Sequence, residues 1–368
     1  MRSTSSAAAS QAPLLQAGQP FYEIDTHKFK IGDGSTAWKD LPYIGSGKVY
    51  AEAVVGSSTN GYTSDQVDYL CDGTDDNIEI SEAIGSARTV VILPGTYNCS
   101  DSITSRNVVI MGFGPASTTL SFSSGRGLAS VTNVSNLKIT TSYSNQDMNC
   151  YGVRLYNGGV ISNCDISGFY YCIDTVSSSD NIVVDSCTIH DWVWEGIRLQ
   201  GPHSTVRNSR FYNSADSGGS VAVYGWNTQH TQILNNTFNI SDGEAIRIDD
   251  GAAIVAGNLI QCADDAVDVS EGSVVVGNYI EYTGTSNRTA ISGIVKYSCA
   301  VGNVTKNYQF GMQDGNSSNT AGAFIGNVVN GDTFAGDIRY RNTNNLVVGN
   351  VLTGSVSSGT ASNNLTVS

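Results

Sequence analysis

Glu244, Asp249, Asp250, Asp264, Asp265 and Asp268 crowd six carboxylates into residues 244–268, with Arg247 among them. Glycoside hydrolysis needs two carboxyl groups, about 5–5.5 Å apart for retention of configuration or about 6.5–9.5 Å apart for inversion. Glu244, Asp265 and Asp268 are the candidates for such a pair, with Arg247 as a basic neighbour. Crowded carboxylates also raise one another's pKa, which suits proton transfer near neutral pH. Asp249, Asp250 and Asp264 offer hard oxygen ligands of the kind that hold Ca2+.

A second concentration lies just upstream. Three of the four tryptophans (Trp192, Trp194, Trp226) and three of the four histidines (His190, His203, His230) fall within residues 190–230. Exposed aromatic rings stack on the apolar faces of sugars, while carboxylates and guanidinium groups bond the hydroxyls. Trp192, Trp194, Glu195, Arg198, Tyr224 and Trp226 therefore form a candidate carbohydrate-binding set. The competing reading is structural: Arg–Asp and Arg–Glu pairs on neighbouring strands contribute a few tenths of a kcal/mol each and need no ligand.

The elements that would position these residues recur. The segments YGVRLYN, YCIDTVS, EGIRLQG, VAVYGWN, EAIRIDD and DAVDVSE align, which puts Arg154, Asp174, Arg198, Tyr224, Arg247 and Asp268 in one column and Tyr151, Tyr171, Glu195, Val221, Glu244 and Asp265 in another. Ahead of each segment, two apolar strands flank a small polar residue: Asn136, Asn163, Ser186, Asn208, Asn236, Asn258, Asn278, Asn303, Asn327 and Asn350. The period is 20 to 28 residues. Alternating apolar residues mark strands, and Asn or Gly marks a bend where a left-handed residue is tolerated. Such units stack into parallel sheets, with the Asn side chains bonded along a ladder. The fold class is thus all-β, a single-stranded right-handed parallel β-helix of about 10–12 coils. Cys164 and Cys187 take equivalent positions and are expected as a stacked inward thiol pair, and Cys71 with Cys99 is the pair to test for a disulfide.

Composition agrees. The chain has 40 glycines, six prolines and only 14% charged residues, which fits many short strands and tight turns. A net charge of −14 with seven lysines disfavours nucleic acid and anionic membranes as partners. No apolar run is long enough to span a membrane, and the first residues lack the apolar core of a signal peptide.

Before the coils, CDGTDDNIEISEAI predicts a helix capped at Thr74 or Asp75, with Ile78, Ile80 and Ile84 on its apolar face, covering the open end of the rod. This passage, with VVILPGTYNCSDSI and NVVIMGFGPASTTL after it, resembles the start of pectate-lyase-like β-helix proteins, and with the coils the likeness covers residues 49–368. A pectate-lyase mechanism would pair Ca2+ with an Arg or Lys base. The chain carries none of the local motifs of pectate lyases or polygalacturonases, so the likeness is one of fold, which does not establish activity.

Residues 18–48 differ in composition and read as a small hairpin unit with aromatic packing. Gly18, Pro20, Glu23, Asp25, Thr26, Lys30, Ile31, Gly32, Asp33, Gly34, Thr36, Trp38, Leu41 and Tyr43 resemble the N-terminal module of phage tail-fibre and tropism-determinant proteins, departing mainly at His27. The resemblance implies a virion tail protein, a homotrimer, joined to other tail proteins through residues 18–48, with residues 1–17 as a flexible arm. The function expected is a tail spike or receptor-binding protein attaching to host-surface polysaccharide. The alternatives are a polysaccharide lyase or glycoside hydrolase, and a purely structural rod.

Overall fold

The computed structural model describes residues 52–331 except 105–107, 146, 157, 177–178, 214–219, 287, 295–296 and 315–321. It also describes 2–4, 6–7, 10, 13–17, 19–24 and 29–41 ahead of them, and 338–339, 346–352, 356–357, 361–362 and 365–366 after them. The chain divides into two compact units, Met1–Glu52 and Ala53–Ser368.

The second unit is a solenoid of three parallel sheets, with 15, 13 and 12 strands among the described residues. One coil runs through Thr231–Leu234 in the first sheet, Thr237–Ile240 in the second and Glu244–Ile248 in the third. Each strand pairs with its equivalent one coil on: Ile233 with Val255, Phe238 with Ile260, Ile246 with Val267. Strands of the first two sheets bury alternate residues, as period-two patterning requires. Like therefore stacks on like inside, and Phe211 and Phe238 lie face to face at 4.7 Å.

The single Asn column expected from the sequence resolves into two. One holds Asn136, Asn163, Ser186, Asn208 and Asn235, then Gly257, Gly277, Gly302, Gly326 and Gly349, all left-handed with φ between 49° and 67°. The next residue points inward: Leu137, Cys164, Cys187, Ser209, then Asn236, Asn258, Asn278, Asn303, Asn327 and Asn350, all buried. The expected column thus slips by one position at Asn236. Left-handed backbone selects Asn or Gly at the first position, and the inward position is free to carry any side chain the core can satisfy.

From Asn236 onward the inward position carries a hydrogen-bonded ladder. Each amide Nδ2 donates to the Oδ1 of the next Asn at 2.9–3.1 Å. Each Oδ1 also accepts a backbone N–H from the coil before it, beginning with Ser209 N to Asn236. Cys164 and Cys187 continue the same column as buried free thiols, and Cys71 and Cys99 are likewise buried free thiols rather than a disulfide.

Helix Asn77–Ser86 packs against the early strands Tyr69–Cys71, Thr89–Ile92, Gly95–Cys99 and Ile103–Thr104, which belong to all three sheets. Ile80, Ala83 and Ile84 are buried, whereas Ile78 is exposed. The N-cap is Asp76 rather than Thr74 or Asp75. Its buried carboxylate accepts the N–H groups of Gly73 (2.8 Å) and Asn98 (2.7 Å), tying the helix start to the second sheet.

The first unit is a three-stranded sheet, Arg2–Ser3, Pro20–Glu23 and Phe29–Ile31, over a core of Leu15, Phe21, Trp38 and Leu41. Residues expected in a loose arm thus supply a strand and a core side chain. Lys30 is buried, donating to the Trp38 carbonyl at 2.8 Å with its ammonium over the indole ring. Asp33 accepts the N–H groups of Ser35 and Thr36 and the Thr36 hydroxyl, closing the GDG turn. Gly18, Asp25, Thr26, His27 and Tyr43 lie outside the described residues.

The outer surface changes character along the rod. Columns that hold Asp185 and Arg207, or Asp165 and Arg210, in the middle coils continue through Ala256, Val276, Val301 and Ile325, and through Leu259, Tyr279, Val304 and Val328. Ile254, Leu259, Tyr279, Ile325, Val328 and Leu346 are exposed along this uncharged stripe.

Replacing Asn278 by Ala removes both acceptor and donor from the ladder and leaves buried Asn258 N–H groups unmet. We expect a loss of about 3–5 kcal/mol in urea unfolding. Asn163→Ala, at an exposed left-handed position, should cost about 1 kcal/mol. Equal losses would mean that the inward amides are not what holds the coils in register.

Candidate functional site

The third sheet carries the candidate site, and its registers are those read from the repeat. Arg154, Asp174, Arg198, Tyr224, Arg247 and Asp268 are successive neighbours. So are Tyr151, Tyr171, Glu195, Val221 and Glu244. Asp265 lies two residues ahead of the next strand, Val267–Asp268, which pairs with Ile246 and Arg247.

At the early end the wall is structural. Asp174 is buried, holding Arg154 Nε at 2.5 Å and Arg198 Nε at 2.7 Å. The guanidinium groups lie over the Tyr151 and Tyr171 rings at 4.0 and 3.8 Å. Two cations sharing one carboxylate and two aromatic faces need nothing further, so Arg198 is committed before any ligand arrives.

At the middle the balance reverses. Glu195 is 6% exposed, and burial pushes its pKa up to about 7 despite Arg198 nearby. Glu244 is also pushed to about 7, first by burial and then by Asp268 and Asp265, with Arg247 opposing. One oxygen of each, Oε2, is buried without a hydrogen-bond partner. Burial raises Asp265 and Asp268 as well. Asp265 Oδ1 accepts the Thr289 N–H at 2.6 Å, and Asp268 Oδ1 accepts the Ser292 hydroxyl at 2.8 Å. Arg247 bridges Asp249 (2.7 Å) and Glu244 (3.6 Å), and the Tyr224 hydroxyl donates to Asp249 at 2.9 Å.

Aromatic rings rim this floor. Trp194, immediately before the strand Glu195–Leu199, is 41% exposed and stacks on Tyr170 with ring planes 10° apart. Trp226, immediately after the strand Val221–Gly225, is 55% exposed. A five-residue strand at about 3.3 Å per residue, with one rim residue before it and one after, sets the two rims about 20 Å apart.

Several expected members of the site lie elsewhere. Trp192 is fully buried in the core, where Gly196 leaves space for its indole, so it presents no ring face to a ligand. Asp249, Asp250 and Asp264 do not converge on a common point: Asp249 faces Arg247, Asp250 is exposed, and Asp264 pairs with Arg288 at 2.8 Å. Among the described residues the group whose donor atoms gather closely enough for a metal is Cys71, Asp76 and Glu79, under the cap. Asp76 already accepts two backbone N–H groups there, so this is the lining of the helix start. His190 sits on the second sheet between Asp165 (3.2 Å) and Asp191 (2.8 Å). Burial opposes its charge, yet these carboxylates hold its pKa above the ordinary value. His203 and His230 stack on exposed turns at 5.3 Å.

Arg288 is a site residue that the sequence reading missed, and it also approaches Asp265 at 3.9 Å. It precedes the strand Thr289–Ser292 and so falls outside every aligned column. Tyr308 is another: it is fully buried behind the floor and donates to the Asp264 carbonyl at 3.2 Å.

Glu195 and Glu244 bind a proton more tightly folded than unfolded. Their stabilising contribution is therefore complete below the usual 4.5 and is lost as pH rises through about 7. For Glu195 the full effect is about 3 kcal/mol. The chain should melt at a higher temperature at pH 5 than at pH 8, and Glu195→Gln should narrow that gap. An unchanged gap in the variant would show that Glu195 is ionised throughout.

The family described as a right-handed β-helix region matches residues 97–238. No curated protein matches the sequence. Among solved structures, the enzymatically active domain of bacteriophage CBA120 tailspike protein 2 superposes with a TM-score of 0.56 at 14% identity, over 86% of this chain and 50% of that one. The Dettilon tailspike protein gives 0.51 at 14%, over 78% and 65%. The catalytic unit of a GH87 α-1,3-glucanase from Streptomyces thermodiastaticus gives 0.50 at 16%, over 85% and 68%. The chain thus spans about half to two thirds of the length of these structures, and at such identities the likeness bears on fold. The second unit is a right-handed parallel β-helix.

Proposed function

We propose that the chain is a tail-spike or receptor-binding protein of a tailed virus, located in the virion tail, whose third-sheet wall binds host-surface glycan. The observation that carries this is the floor of half-buried acids and Tyr224 between two exposed tryptophans, Trp194 and Trp226. Rings stack on sugar faces and the floor bonds hydroxyls, a division of labour that a purely structural wall does not require. The first unit, through residues 18–48, joins the spike to other tail proteins. Two of the structures sharing the fold are tailspikes, which supports the setting.

Cleavage of the bound glycan is the second reading, favoured by Glu244. A partly exposed carboxyl group raised to about 7 is suited to donate a proton to a glycosidic oxygen. Glu244 and Asp265 lie on adjacent coils, about 4.8 Å apart along the backbone, nearest the spacing of a retaining pair. Glu195 and Glu244 are two coils apart, about 9.6 Å, nearest that of an inverting pair.

Trp194→Ala and Trp226→Ala should each weaken binding to the host polysaccharide at least about tenfold, measured by affinity electrophoresis. Unchanged binding in both would leave a structural rod. Release of reducing ends that stops in Glu244→Gln while binding persists would establish cleavage, and release that survives this variant would remove Glu244 from the reaction.

The uncharged stripe from Ile254 to Leu346 supports a homotrimer. On a chain of charge −14 it is a surface where copies meet without like-charge contact. Sedimentation should give the trimer mass for the native chain and the monomer mass for Ile325→Lys combined with Val328→Glu. A monomeric native chain would overturn the assembly.

A further inference from the structure

The wall's charges are unequal, and that bears on what it can hold. Resting on the glycan reading above, we propose that it selects sugar chains that carry no acidic groups, neutral hexoses or amino sugars, and rejects uronates, sialates and phosphorylated sugars.

In the coils from Tyr151 to Ser292 four arginines serve the wall, and each already faces a carboxylate. Arg154 and Arg198 are hydrogen-bonded to Asp174 and Arg247 to Asp249, with Glu244 at 3.6 Å, and Arg288 is ion-paired with Asp264, with Asp265 at 3.9 Å. No lysine occurs between residues 139 and 295, so the floor has no second source of positive charge. Against these four stand seven acids: Asp174, Glu195, Glu244, Asp249, Asp264, Asp265 and Asp268. Recognition of an anionic sugar relies on an available guanidinium or ammonium group, which gives bidentate or point-charge contacts. Here an incoming carboxylate would have to displace an existing partner or lie beside Glu195, Glu244 and Asp268.

The same groups suit an uncharged ligand. The partly exposed Glu244 carboxyl group can donate to or accept from hydroxyls according to protonation, and near pH 7 both states are populated. A protonated amine would meet the unbalanced acids directly. A uronate, which β-elimination requires, is the ligand this floor disfavours, so any cleavage here is hydrolysis rather than lyase chemistry.

The test uses one polymer in two charge states. Polygalacturonate, alginate and hyaluronan are each compared with their carboxyl-reduced forms, in which the uronate becomes a neutral hexose, and dextran, mannan and chitosan complete the set. Binding of the full chain is measured at pH 7. We expect the reduced form to bind at least about tenfold more tightly than its acidic parent wherever either binds. We also expect Glu244→Gln combined with Asp265→Asn to narrow that ratio, which a change in folding alone would not do. An acidic parent that binds as well as its reduced form would overturn the charge selection and leave the glycan reading standing. Failure of every polymer and of the host polysaccharide would overturn both.

Discussion

In-register stacking of one coil on the next, at about 4.8 Å, governs everything else in this molecule. Each side chain has its own positional equivalent as nearest neighbour above and below. Apolar columns gain from this, because identical shapes pack without gaps, as Phe211 does on Phe238. Charged columns do not: two like charges at that distance repel unless their signs alternate, a neutral residue separates them, or a proton is taken up. The third sheet shows all three outcomes in order. Arg154, Asp174 and Arg198 alternate. Val221 separates Glu195 from Glu244. Glu244 and Asp265 follow one another directly, and both have raised pKa values.

The interior solves the corresponding problem for polar groups. An Asn turned inward would orphan a donor and an acceptor, but a column of them satisfies each amide with the next and with the backbone on either side. The earlier coils use Cys and Ser at the same position, and Ser209 passes the chain of bonds to Asn236. From Asn236 onward this ladder adds polar bonds between coils where the core residues alone are interchangeable.

How much of this could be read from the sequence follows from which features are periodic. The third-sheet columns were legible because five-residue strands repeat with apolar residues at fixed places, and every pairing from Arg154 to Asp268 agrees. The Asn column was misaligned by one residue, because Asn serves both the left-handed bend and the inward ladder and Asn235 and Asn236 are adjacent. Trp192 and Trp194 look alike in composition, and only the packing beside Gly196 shows which enters the core. Arg288 lies in a turn of irregular length, where periodicity carries no information. The partners of Asp249 and Asp264 are likewise a matter of side-chain reach, which spacing in the chain does not encode.

A scaffold of this kind also explains why a few unusual side chains can be held without adaptation elsewhere. Backbone groups in the sheets are paired along the rod, so replacing Val221 or Glu244 alters the outer face and leaves the ladders intact. The cost of two carboxyl groups near pKa 7 is borne by the stability of the whole stack rather than by local rearrangement. That separates the surface from the interior energetically. The outer columns can vary with the ligand while the inner ones keep the register, and the middle coils depart from the alternation rule at the place where the tryptophans are exposed.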